Sequence, residues 1–134
     1  MSFRLTKEER LSKKKLIDEL FANGSSFYFS PFKVISHPKN SETGLPPARI
    51  LISVPSKNFK RAVDRNRIKR LIREAYRLNK NILYDALNQK HQQLIFAIIY
   101  TSKTIESFSF IREKIVSVLK KLAAQNAMAE KNAD

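Results

Sequence analysis

The chain has 134 residues, 43% of them hydrophobic, and 26 Lys and Arg against 12 Asp and Glu give it a formal charge of +14. That is the length of one domain with enough aliphatic content for a core, which excludes a disordered basic tail and points to a polyanionic partner. There is no Cys, which excludes disulfides and thiolate metal sites. The charged N-terminal stretch lacks a signal-peptide core, and the longest apolar run, residues 94–100, is too short for a bilayer. We therefore expect a soluble, cytoplasmic protein with no membrane association.

Taken in order, Thr6-Lys7-Glu8-Glu9 has capping-box spacing but little apolar periodicity follows it. Ser12 is the better N-cap, because Leu16, Ile17, Leu20 and Phe21 then form a stripe that Gly24 stops. Phe21 either packs in the core or edges a groove. Residues 27–37 are aromatic and β-branched with Pro31 inside, so the strand proper is expected over residues 32–37 or at a sheet edge. Residues 38–47 are rich in turn formers and read as a long hairpin loop. Residues 49–54 make a second strand.

From Lys57 to Lys80 there are ten basic residues and two acidic ones, Asp64 and Glu74. Stepped at about 100° per residue, Ile68, Leu71, Ile72, Ala75 and Tyr76 share one arc. Arg65, Asn66, Lys69, Arg70, Arg73 and Arg77 fill the neighbouring arc, with Arg67 further round. So few acids cannot pair these cations along a helix, and a row of like charges calls for a polyanion. The helix should run from about Lys60 or Ala62 to Leu78, with a further helical turn over residues 82–87. Residues 94–100 read as a strand buried on both faces. Ser107 or Ser109 can cap a last helix carrying Phe108, Ile111, Ile115, Val118, Leu119 and Leu122. Residues 1–124 then form one RNA-binding domain, and residues 125–134 a polar, flexible tail. The fold class is α+β: a single-domain sandwich of order α-β-β-α-β-α, its small sheet covered by helices on one side.

The chemistry of a protein nuclease is hard to assemble from these residues. His37 lies beside a predicted turn and His91 in a polar linker, neither near an acid in sequence, and the acids show no metal-ligand spacing. With only two glycines there is no phosphate-cradling loop. We expect no catalytic residue and no metal site in the chain. A basic groove floored with aromatics suits single-stranded RNA. Phe21, Phe27, Tyr28, Phe29 and Phe32 are candidates for that floor, and each is equally a candidate for the core.

At the basic helix the pattern becomes specific. Phe59-x-x-Ala62-x-x-Arg65-Asn66-Arg67-Ile68-Lys69-Arg70-x-Ile72-Arg73 resembles the signature of the protein subunit of bacterial ribonuclease P, and Arg10-Leu11 with Phe21-x-x-Gly24 agrees, so the resemblance spans about residues 9–122. It implies a left-handed βαβ crossover through the basic helix, an exception to the right-handed rule, in a fold shared with a ribosomal-protein domain. It implies binding to a catalytic RNA and to the single-stranded 5′ leader of precursor tRNA, one protein per RNA, with no DNA partner. It implies that the holoenzyme, an endonuclease, releases the leader and leaves a mature 5′-phosphate end, the hydrolysis being performed by the RNA with Mg²⁺ that it mainly holds. Arg65, Asn66, Arg67, Lys69, Arg70 and Arg73 would meet the catalytic RNA, extended by Lys57, Lys60 and Arg61. Phe21, Phe32 and Lys33 would line the leader cleft. Ile17 and Ile35 stand where relatives often have aromatics, so leader stacking would be weaker here or borne by Tyr28 or Phe29. The alternatives are a general RNA-binding or ribosomal-type protein, a protein-only nuclease, and a DNA reader, which no helix-turn-helix spacing supports.

Overall fold

The computed structural model describes residues 5–40 and 42–132, with side chains through Gln125. Its centre is the apolar run Gln93–Tyr100, strand β4, in which every residue except Ile99 is buried. Around it stand β1 (Ser25–Phe29), β2 (Phe32–Lys39) and β3 (Ala48–Ser53), in the spatial order β1-β2-β4-β3. β2 pairs antiparallel with both β1 and β4, while β3 runs parallel to β4. The helices are α1 (Lys14–Asn23), α2 (Ala62–Asn79), α3 (Asn81–Gln89) and α4 (Phe108–Asn132), and a 3-10 turn covers Lys7–Glu9. A parallel β3–β4 pair needs a crossover, and α2 with α3 supplies it.

Alternation along the strands divides the core in two. Phe32, Val34, Ile50, Phe96, Ile98 and Tyr100 face α2, α3 and α4 in the larger cluster, while Ile35, Ile95 and Ala97 face Leu11 and Leu20 from the α1 side. The sheet is thus covered on both faces, not one. The expected single-sided cover fails because α1 carries its own apolar stripe, Leu16, Ile17 and Leu20, and docks it on the opposite face. Ile68, Ile72, Ala75 and Tyr76 of α2 are all fully buried, as their shared arc requires. Tyr76 meets Phe96 edge-on at 5.8 Å.

Other expectations shift as well. The stretch before Pro31 is a strand in its own right, the edge strand β1, paired to β2 from Ser25↔Ser36 to Phe29↔Phe32. β2 continues through Pro38, paired with Leu94, to Lys39. Pro38 is tolerated because β1 has ended, leaving that side of β2 without a ladder to donate to. The loop is therefore shorter than residues 38–47, and Ser41 in it lies outside the described residues. α1 starts after Lys13 instead of Ser12. Gly24 follows it with φ −72, not in the left-handed region. Its requirement is space: a Cβ there would sit 2.4 Å from the Leu20 carbonyl oxygen and 2.7 Å from Ile35 Cγ2. α3 is a full helix, separated from α2 by Lys80 alone. α4 runs helically past Ala124 to Asn132, in keeping with the high helix propensity of its alanines. Most of the expected tail, residues 125–134, lies there; its side chains from 126 and its last two residues lie outside the described residues.

Candidate nucleic-acid interface

α2 lies against the β3 side of the helical layer, and its cations divide by their angle from the buried stripe. Asn66, Arg67 and Arg70 are exposed, as are Lys57, Lys60 and Arg61 in the approach to the helix. Arg67 and Arg70 have no acid within ion-pair distance, since the ion pairs among the described residues lie elsewhere. Arg65 differs from its neighbours. Its Nη1 donates to the Phe59 carbonyl at 2.7 Å and the Lys60 carbonyl at 2.9 Å. No side chain caps the α2 N-terminus, and Arg65 ties the approach loop to the first turn instead. Phe59, thus held, is buried against Tyr100 with ring centroids 6.1 Å apart.

Lys69 and Arg73 lie on the flank nearest the N-terminal segment. There the Leu11 backbone N–H donates to the Ile50 carbonyl at 2.8 Å, and Arg10 forms a parallel bridge with Ile50. Arg10, Ser12, Lys69 and Arg73 rim a cavity of about 240 Å³ floored by Leu5, Leu11 and Ile50 to Ile52. Burial, then the charges of Arg10 and Arg70, push the Arg73 guanidinium below its ordinary value. This gathering of positive charge favours an anion in the cavity. In the sequence Arg10 lies 63 positions from Arg73, so its place beside α2 is set by the tertiary fold and only the Arg10-Leu11 pair hints at it. A neighbouring hollow of about 270 Å³ adds Lys7, Lys13 and Arg49 to the same side.

The second half of α2 is neutralised. Arg77 pairs with Glu74, at 3.0 Å from Nε to Oε2, so Arg77 leaves the basic row. At the α2–α3 junction, Lys80 Nζ donates to Glu9 Oε2 at 2.7 Å, with both side chains almost fully buried. The Tyr84 hydroxyl donates to the same carboxylate oxygen. Glu9 also accepts from the Thr6 backbone N–H at 2.9 Å, so the capping-box residues anchor the N-terminal turn on α2 and α3. Burial alone would raise the Glu9 carboxyl. The bonds from Lys80, Tyr84 and Thr6 outweigh it and hold the group below its ordinary range.

On the α1 face of the sheet, Tyr28, Lys33, Ile99 and Ser53 form one cross-strand row. Tyr28 is 61% and Phe21 50% exposed, rare values for large rings, and Lys33 is exposed as well. The Tyr28 hydroxyl meets Thr101 Oγ1 at 3.1 Å, which fixes the ring while leaving it open to solvent. Phe32 does not belong to this surface. It is completely buried on the other face, 6.0 Å from Tyr100, because the alternation that turns Lys33 outward turns Phe32 inward. Phe29 and Phe27 likewise sit on the helical side, packed against the larger core.

His37, with no acid near it in sequence, meets one through the fold: its Nε2 lies 3.3 Å from Glu19, which also binds Lys39 at 3.0 Å. The bond from Lys39 leads in holding the Glu19 carboxyl below its ordinary range. The trio ties α1 to β2. His91 is exposed, with φ 54. Among the described residues, no three His, Cys, Asp or Glu side chains converge on a metal position, and no helix is long and apolar enough to cross a membrane.

The family model "Ribonuclease P" matches residues 5–123. The ribonuclease P protein component of Porphyromonas gingivalis strain W83 is 36% identical over 122 residues, spanning 91% of this chain and 88% of that protein. That of Chlorobaculum tepidum is 42% identical over 94 residues, 66% of this chain and 61% of its own. Among solved structures, the ribonuclease P protein of Thermotoga maritima superimposes with a TM-score of 0.67 at 26% identity, over 84% of this chain and 96% of that one. The Staphylococcus aureus protein gives 0.62 at 27% identity, over 90% and 93%. Similarity over nearly the whole chain, in sequence and in fold, carries one conclusion: the chain belongs to the ribonuclease P protein family.

Proposed function

We propose that this chain is the protein subunit of a ribonucleoprotein that removes the 5′ leader from precursor tRNA. The observation that carries the reading is the basic face of α2, where Arg67 and Arg70 have no ion-pair partner among the described residues. Arg67, Arg70, Lys69 and Arg73, with Asn66, dock on the catalytic RNA, and Lys57, Lys60, Arg61 and Arg10 extend that surface. Arg65 contributes by holding the loop that carries Lys57 and Lys60. Phosphate contacts of this kind release counterions, so affinity falls steeply with salt. Phe21, Tyr28 and Lys33 take the single-stranded leader, with rings for bases and an ammonium for phosphate. Among the described residues no three His, Cys, Asp or Glu side chains converge on a metal position; the reading assigns Mg²⁺ to the RNA phosphates, and the hydrolysis with it. One protein serves one RNA.

The test is reconstitution. The chain added to its cognate catalytic RNA at low Mg²⁺ should restore 5′ maturation of precursor tRNA. Failure of the wild-type chain to do so would sink the reading, and cleavage by the protein alone would move the catalytic groups into the polypeptide. Phe21→Ala should weaken binding of leader-bearing substrate and leave leaderless tRNA unchanged.

A further inference from the structure

α4 carries a second stripe, unrelated to its core face. Phe110, Lys114, Ser117 and Lys121 recur at helical spacing along the side that meets β1. Lys114 Nζ lies 5.6 Å from the Phe29 ring centre and 5.4 Å from that of Phe110. Lys121 Nζ lies 4.5 Å from the Phe27 ring centre. None of the ion pairs of the described residues involves either lysine. Both ammonium groups are therefore held by aromatic faces, and their charge stays available to a ligand. Arg112 and Lys120 add exposed positive charge on the same helix.

This patch lies along the free edge of β1, a strand with three aromatics and no charged residue. Tyr28 projects to the α1 face, and Phe27 and Phe29, on either side of it, project to the α4 face. The edge is thus the shared border of the leader cleft and the α4 patch. Interleaved aromatic rings and cations track single-stranded nucleic acid without reading its sequence.

We infer that the Phe27, Phe29, Phe110, Lys114 and Lys121 patch is a distal subsite for the single-stranded leader, reached when the strand passes from Tyr28 around the β1 edge. The inference rests on the assignment of Tyr28 and Phe21 to leader binding. It means that the protein distinguishes long leaders from short ones by added phosphate contacts, with little dependence on base identity.

The experiment measures affinity of the reconstituted holoenzyme for precursor tRNAs whose leaders lengthen one nucleotide at a time. In the wild type, affinity should rise in two stages. The double variant Lys114→Ala with Lys121→Ala should keep the first stage and lose the second. Its salt slope on the longest leader should fall by about 1.4, at roughly 0.7 per single-strand contact. Lys114→Arg with Lys121→Arg should restore the second stage, which a mere packing role would not require. A double variant with both stages intact overturns the subsite. Equal loss on leaderless tRNA also overturns it, placing the patch against the catalytic RNA or the tRNA body. Absence of the first stage in the wild type would instead overturn the cleft assignment, and the subsite with it.

Discussion

The two halves of α2 share one helix and opposite electrostatic states. Over residues 65–73 Arg67 and Arg70 have no ion-pair partner among the described residues, and Arg73 sits close to Arg10, a like charge. From Glu74 onward each cation has a partner: Arg77 has Glu74, and Lys80 has Glu9. A basic residue therefore serves binding or folding according to the acid that the fold brings to it, and counting cations cannot separate the two. The first half is costly to hold together without an anion. The second half joins the N-terminal turn to the crossover and supports the first.

The largest effect should come from breaking the paired half. Lys80→Ala leaves the Glu9 carboxylate buried without its cation, which should cost about 3–5 kcal/mol in urea unfolding. The same pair sets an acid limb. Glu9 titrates near 4.5 when unfolded and lower when folded. Its contribution is complete above about 4.5 and is lost as pH falls through the folded value. Glu9→Gln should flatten that limb of the unfolding midpoint against pH; an unchanged limb would mean that other carboxylates produce it.

Arg65→Ala is expected to straddle the comparison. Losing two bonds to loop carbonyls should cost about 1–3 kcal/mol, with weaker RNA binding as a consequence. Wild-type stability in this variant would return Arg65 to the RNA-facing row. Arg67→Ala with Arg70→Ala should do the reverse. Stability should stay within about 0.5 kcal/mol, while the salt slope of catalytic-RNA binding falls by about one per lost contact. An unchanged slope would show that these groups do not touch phosphate. The smallest effect is expected at the exposed Glu74–Arg77 pair. Arg77→Ala should leave the melting temperature unmoved and the salt slope unaltered, and a drop in slope would mean that Glu74 releases Arg77 to RNA.

Periodicity made the buried arc of α2 and the two-faced burial of β4 legible, because both follow from local geometry that side-chain type reports directly. The Arg-Asn-Arg signature gave the family for the same reason: its spacing is contiguous. Three features were hidden. β1 was folded into the Pro31 interruption, since a short aromatic strand has no period long enough to stand out. Phe32 reads as a cleft residue from its aromatic neighbours, because the face that each ring takes depends on strand register, which the Pro31 interruption obscures. The roles of Arg65, Arg77 and Lys80 depended on partners that only local coiling or the 71-residue separation of Glu9 and Lys80 reveals. Arg10 belongs with them, joined to α2 by the tertiary fold.

The position of β4 governs how the molecule comes to exist. The strand made last lies between two made earlier, β2 and β3, which do not pair with each other. During synthesis, the cationic helix emerges while both flanking edges still await their partner. The nascent chain then displays its positive charge before it has a rigid platform to display it on. Contacts this distant in sequence close slowly. Polyanions in the surrounding medium would meet an unfinished surface first, and completion of the sheet would set the moment at which selective docking begins.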